Sequence, residues 1–336
     1  MRRTLLAVHP GSIGDVLLAR QALRALRDAY PAHALGLIVR RDVGALLQAC
    51  HETDRCFPLE GRALSGLLAG AEATPPDLSR WLRACDLAVC WMGDPGGLHT
   101  TLAAFGVAHT VIQPASGEMT GIHQADHLLR TLEGMVQLKI AESPLVLPDA
   151  IKEEGRASLR AHGFTENRFV MIHPGSGSPH KCLAPGTLAT VVDELRLRGI
   201  PVALAVGPAD EARARDVLTL CSTAPLPVRG QALDRMAGLL AHAAIFIGHD
   251  SGLTHLAAAL AVPTLALFGP TDAGRWAPRG ARATVLPGSP CRCEGWEAVK
   301  ACPDKPCLRI APDRILSACD ERLFAAASSG GASNLS

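Results

Sequence analysis

Net charge is almost absent from this sequence: 33 Lys and Arg stand against 32 Asp and Glu over 336 residues, a formal +1. No global positive field is available to hold a polyanionic nucleic acid by counterion release, so partners must be recognised locally. Long apolar runs are missing too. The longest reach about seven residues, against the roughly 20 that a membrane-spanning helix needs, and the chain is expected to be soluble. Arg2 and Arg3 followed by apolar residues 5–8 imitate the start of a signal peptide, but His9, Pro10 and Gly11 end the stretch early. A cytoplasmic protein is expected. The 11 cysteines are an odd number in a long chain, which does not suit a secreted disulfide framework; most are expected to be reduced and buried.

Several short motifs are also lacking. No Asp-x-Asp occurs, so the usual acidic device for holding Mg²⁺ on a nucleotide diphosphate is missing, and neither a metal nor a cofactor is expected. Gly11 and Gly14 lack the third glycine of a dinucleotide fingerprint. Lys181 is neither preceded by glycine nor followed by Ser or Thr, which disfavours a Walker A loop. Cys291, Cys293, Cys302 and Cys307 could supply four thiolates, but their spacing departs from the paired C-x₂₋₄-C arrangement of zinc sites; metal-free thiols are expected.

What is present is 48% hydrophobic composition over a length that suits two domains. Short apolar strands alternate with helical stretches, the pattern of parallel sheets covered on both faces. Strands are predicted at 4–9, 35–39, 87–91 and 110–112, then at 168–173, 201–206, 244–247 and 264–268. Helices are predicted from about Val16 to Pro31 and at 127–138, 185–198, 210–221, 233–243, 251–261 and 312–326, numbers read from apolar spacing. Residues 61–76, rich in Gly, Ala and Pro, give little signal. The proline-bearing segment 143–154 reads as the linker, giving domains 1–150 and 151–327, with a small, polar and disordered tail at 328–336.

In open α/β sheets ligands bind beyond the carboxyl ends of the strands, so those loops hold the candidates. His9-Pro10-Gly11-Ser12-Ile13-Gly14-Asp15 places a carboxylate at a helix start; Asp15 either caps that helix or faces the cleft as a general base. The loop from His173 to Lys181, with Ser176 and Gly177, is small and ends in a cation, suited to a phosphate or an ordinary solvated turn. Asp250, Ser251 and Gly252 open another helix whose N–H groups favour an anion, with His249 and His255 as either ligands or packed residues. Asp210 and Glu211 serve a ribose or simply complement a helix dipole.

Taken in order, the Gly14-Asp15 turn, the His173–Ser178 loop with Lys181, Asp250-Ser251-Gly252 with His255, Phe268-Gly269-Pro270-Thr271-Asp272 and the cysteine run before a final helix resemble the family 9 glycosyltransferases. The best-known members are the ADP-heptose:lipopolysaccharide heptosyltransferases. The resemblance implies a GT-B architecture: two Rossmann-like domains facing a central cleft, the first binding acceptor and the second nucleotide-sugar. It implies an inverting, metal-independent transfer with Asp15 as the base. Ser176, Gly177 and Lys181 would hold the diphosphate, with Lys181 stabilising the leaving group. Asp210 would contact the ribose, and Asp250, Ser251, Gly252 and His255 would line the donor site. The donor expected is ADP-heptose and the acceptor a glycolipid or oligosaccharide of lipopolysaccharide core type, reached by a monomer with peripheral contact at the inner membrane. Leu183 stands where the family often has an aromatic residue, and Gln21 where it often has proline. A nucleotide-sugar epimerase or hydrolase, and a non-catalytic nucleotide-binding module, are the competing readings; no acceptor-site residue is assigned.

Overall fold

A computed structural model describes residues 2–94, 96–116, 121–138 and 143–330, with side chains of the last helix described as far as 321. The chain divides into two compact units, Met1–Glu142 and Ser143–Ser336.

The first unit runs β1 (Thr4–Val8), α1 (Ile13–Leu18), α2 (Arg20–Ala29), β2 (Ala34–Val39), α3 (Arg41–Ala49), β3 (Arg55–Pro58), α4 (Ala63–Ala69), α5 (Pro76–Leu82), β4 (Cys85–Cys90), α6 (Leu98–Ala104), β5 (His109–Ile112) and α7 (Gln124–Arg130). Its five strands are parallel in the order β3-β2-β1-β4-β5. Every residue of β1 and β2 is buried, as expected of strands covered on both faces by crossover helices. Leu6, Val8, Ile38, Ala88 and Cys90 from the sheet meet Leu67, Leu78, Leu82, Leu98 and Leu102 from the helices in one apolar core.

The second unit runs α8 (Asp149–Ala161), β6 (Val170–His173), a 3₁₀ turn at Pro179–Lys181, α9 (Pro185–Leu197), β7 (Val202–Val206), α10 (Glu211–Leu220), β8 (Leu226–Arg229), α11 (Leu233–Leu240), β9 (Ile245–His249), α12 (Gly252–Ala259), β10 (Thr264–Phe268), α13 (Ala273–Trp276), β11 (Ala283–Pro287), α14 (Gly295–Ala301), a 3₁₀ turn at Pro306–Leu308 and α15 (Pro312–Gly330). Its six strands are parallel in the order β11-β10-β9-β6-β7-β8. In both units the strand order reverses beside the first strand, at β1/β4 and β6/β9, the place where doubly wound sheets open a crevice for ligands. Helix α8 closes on α11 through Gly155 and Gly238: a Cβ at 155 would lie 2.4 Å from the Gly238 carbonyl, and one at 238 would lie 2.4 Å from the Ile151 oxygen.

Several expected elements have different limits. The helix anticipated from Val16 to Pro31 is divided at Ala19, whose N–H is shared between the Asp15 and Val16 carbonyls, a local tightening toward 3₁₀ geometry. The helix expected at 127–138 is instead α7, which stops at Arg130. Three-residue turns from Glu133 to Arg130 and from Met135 to Leu132 replace it, and Gly134 takes a left-handed φ of 82°. The quiet stretch 61–76 holds all of α4 and the start of α5, which begins with proline at a first-turn position where the missing N–H costs nothing. Helix α15 continues through Gly330, so 328–330 are helical rather than tail; 331–336 of the expected tail lie outside the described residues. No described helix is long and apolar enough to cross a membrane.

Candidate functional site

In the first unit, β1 delivers its chain end into the 9–15 loop. Asp15 Oδ2 accepts hydrogen bonds from the Ser12 N–H at 2.8 Å and the Ser12 hydroxyl at 2.7 Å. The carboxylate therefore closes a turn at the start of α1, and among the described residues none donates a hydrogen bond to its other oxygen, Oδ1. Capping and a proton-accepting role are compatible in one side chain, because they use different oxygens. Beneath the turn, buried His9 accepts the Gly11 N–H on Nδ1 at 3.1 Å and lies 5.8 Å from the Trp91 ring at the end of β4. Burial pushes the His9 imidazole down, partly countered by the Asp15 charge. His9 is thus a neutral prop for the loop that carries Asp15.

In the second unit the loops after β6 and β9 meet at the strand-order reversal. Lys181 Nζ donates to Asp250 Oδ2 at 2.7 Å, and His255 Nε2 lies 3.8 Å from Asp250 Oδ1. Burial alone would raise the Asp250 carboxyl, but the neighbouring His255 and the Lys181 ammonium outweigh it and hold it down at about 2. The Ser176 hydroxyl donates to the Asp250 carbonyl at 2.5 Å, tying the two loops together. Gly177 has open space around its Cβ position, and the Trp296 ring lies 5.8 Å from Lys181 Nζ. Ser251 caps α12 in extended backbone, and Gly252 begins the helix, leaving first-turn N–H groups for an anion. Ser176, Gly177, Lys181, Asp250, Ser251, Gly252 and His255 therefore belong to one neighbourhood.

Asp210 is held by partners within its own unit. Its Oδ2 accepts from His173 Nε2 at 3.0 Å and from the Gly207 N–H at 3.1 Å. Burial raises this carboxyl, but His173 and the Gly207 N–H bring it below its usual range. Glu211, by contrast, is exposed and pairs with Arg229 at 3.3 Å. The carboxylate of Asp210 fits only because residue 175 is glycine: a Cβ there would lie 1.7 Å from Asp210 Oδ1.

Sequence reasoning gave His173 no role, yet it reaches both Asp210 and Ser251 Oγ, the latter at 3.1 Å. The signal available was histidine at the end of both central strands, β6 and β9. His249 is the packed one: it accepts the Leu183 N–H on Nε2 at 3.0 Å and donates from Nδ1 to the Gly175 carbonyl at 3.3 Å. Leu183 itself is buried in the core, with Arg213 hydrogen-bonded to its carbonyl, so no side chain from that position reaches the loops.

Burial, assisted by His173 and Arg213, pushes the His249 imidazole down to about 3. The unfolded chain then binds a proton that the folded chain refuses, so stability should fall as pH drops below about 6.5 toward about 3. Asp250 adds to the loss between its ordinary 3.8 and about 2, where its folded-state ionisation is finally lost. The urea midpoint of His249→Gln should fall less than that of the wild type between these pH values; parallel curves would contradict the assignment.

All eleven cysteines are free thiols. Cys293 lies within hydrogen-bonding reach of Cys291 and Cys302, and Cys307 of Cys291. Among the described residues no group of three or more His, Cys, Asp or Glu is placed to hold a metal ion.

The profile of glycosyltransferase family 9 (heptosyltransferase) matches residues 127–302. The chain belongs to this family. Among curated relatives, lipopolysaccharide heptosyltransferase 3 of Escherichia coli strain K12 is 24% identical over 287 residues, covering 79% of this chain and 82% of the relative. Among solved structures, a family 9 glycosyl transferase from Veillonella parvula superposes with a TM-score of 0.78 at 19% identity, covering 96% of this chain and 98% of that one. The E. coli ADP-heptose lipopolysaccharide heptosyltransferase II gives a TM-score of 0.72 at 20% identity, covering 96% and 99%. This family 9 glycosyltransferase thus has the GT-B fold, built from two parallel-sheet α/β units.

Proposed function

We propose that this glycosyltransferase moves a heptose from ADP-heptose to a saccharide of lipopolysaccharide core type, with inversion at the anomeric carbon and without a metal ion. The supporting observation is the Lys181–Asp250 pair, joined by Ser176 and set beside the start of α12. It gathers a cation, hydroxyls and helix N–H groups where a doubly wound sheet binds its ligand. The names of the structural relatives add ADP-heptose as the donor.

In this mechanism Ser176, Gly177, Ser251 and Gly252 bind the diphosphate. Lys181 moves from Asp250 onto the phosphate oxygens and stabilises the charge that develops as the bond to the sugar breaks. His255 and Asp250 line the sugar side. Asp15 takes the proton from the acceptor hydroxyl through Oδ1 as that oxygen attacks. One base suffices, because an inverting displacement passes through a single substitution. The domain limits 1–150 and 151–327 then separate acceptor from donor binding. The enzyme works as a monomer in the cytoplasm, touching the inner membrane from its surface when the acceptor is a glycolipid.

The test is transfer from radiolabelled ADP-heptose to heptose-deficient core acceptors in the presence of EDTA, with the product's anomeric configuration read by NMR. Acceptor-dependent, inverted product is expected. Sugar released or isomerised equally fast without acceptor would replace this reading with a hydrolase or epimerase.

A further inference from the structure

A line of buried polar groups lies under the diphosphate loops, and its protons can be counted. The His249 carbonyl can only accept, so the Thr254 hydroxyl, 2.5 Å away, spends its proton there. Ser251 Oγ lies 3.1 Å from Thr254 Oγ1. With the Thr254 proton committed, that contact is a hydrogen bond only if Ser251 is the donor. Ser251 then has no proton left for His173 Nδ1, which sits 3.1 Å from the same oxygen. For that contact to bind as well, Nδ1 must carry a proton. At the other side of the ring, Asp210 Oδ2 already accepts the Gly207 N–H and lies 3.0 Å from Nε2. An ionised carboxylate only accepts, so Nε2 carries a proton too.

We infer that His173 is an imidazolium, paired with Asp210 and acting through Ser251 as a positioning residue for the diphosphate site. The alternative, a ring with a bare Nδ1, leaves the Ser251 and Thr254 oxygens facing each other at 3.1 Å with no proton between them. The site is built for the charge: His173 is 4% exposed and Asp210 9%, and the glycine at 175 makes room for the carboxylate. The other charged or titratable groups nearby are His249, held neutral, and Arg213 on the α10 side, with Lys181, Asp250 and His255 beyond Ser251. Because Asp210 balances its charge at 3.0 Å, the imidazolium adds no net charge below the loops, and what it offers is a donor at Nδ1 that leaves the ligand's surface clear. It also orients Ser251, so that the start of α12 keeps one geometry in the empty and the filled site.

The proton assignment stands on geometry alone, whereas the positioning role rests on the diphosphate reading above. Histidine-ring ¹⁵N spectra of the labelled full chain at neutral pH test the first. A resonance set with both nitrogens protonated is expected in the wild type and should vanish in His173→Gln. Asp210→Asn should convert it to a ring with one bare nitrogen. A bare ring nitrogen at His173 in the wild type would overturn the assignment. Calorimetry with ADP tests the second. Binding should weaken about tenfold or more in both variants, equivalent to about 1.4 kcal/mol, with far-UV spectra confirming that they fold. Equal ADP affinity in wild type and His173→Gln would overturn the positioning role. Failure of the wild type to bind ADP would strike the donor reading, and the ring spectrum would still decide the protonation of His173.

Discussion

Asparagine in place of Asp15 is expected to lower kcat by about 10²- to 10⁴-fold, the range that a positioned general base supplies. The substitution separates the two jobs of the side chain. Its amide oxygen still accepts the Ser12 N–H that closes the turn, so α1 should keep its start and thermal stability should change little. Its remaining nitrogen can no longer take a proton from an acceptor hydroxyl. Donor binding, measured by ADP calorimetry, should stay near the wild-type value. A variant that still transfers sugar at the wild-type rate would remove Asp15 from the mechanism. One that loses its fold would show that the turn was all it provided.

Lys181→Ala should reduce kcat/KM for the nucleotide-sugar by about 10²-fold or more, as loss of a preorganised charge on a leaving group does. This substitution also leaves Asp250 buried without its ammonium, and the carboxyl should rise from about 2. Removing one member of a buried pair destabilises a protein through the charge left behind, so the melting temperature should fall. The double variant Lys181→Ala/Asp250→Asn resolves the ambiguity. Without the orphaned charge it should recover much of the lost stability while remaining inactive. Recovery of activity together with stability would mean that Lys181 serves the fold rather than the donor.

The strands that form the centre of each sheet were legible because they are continuous apolar runs, and the loops after them followed from the α/β pattern. Strand order was not, since β1 pairing with both β2 and β4 depends on contacts between distant segments. Within the site, Lys181 and Asp250 were both singled out, but their pairing spans 69 residues and no spacing announces it. Asp210 shows a different limit. As a carboxylate at a helix start it gives no sign in sequence of the buried histidine it meets, a contact that needs the glycine at 175 to clear space for it. The helix expected at 127–138 failed for a local reason, a left-handed glycine after a short amphipathic run.

The crossing of α8 and α11 restricts how this chain can vary. Paired core positions usually admit compensation, in which one side chain shrinks as its neighbour grows. Gly155 and Gly238 do not permit it, because the atoms that would clash hardest with a Cβ at either, at 2.4 Å, belong to the other helix's main chain. No second substitution can make room for a methyl group there, since main chain cannot be trimmed. The two positions are therefore locked independently, and a lineage that acquires a larger residue at either must shift a whole helix to keep it.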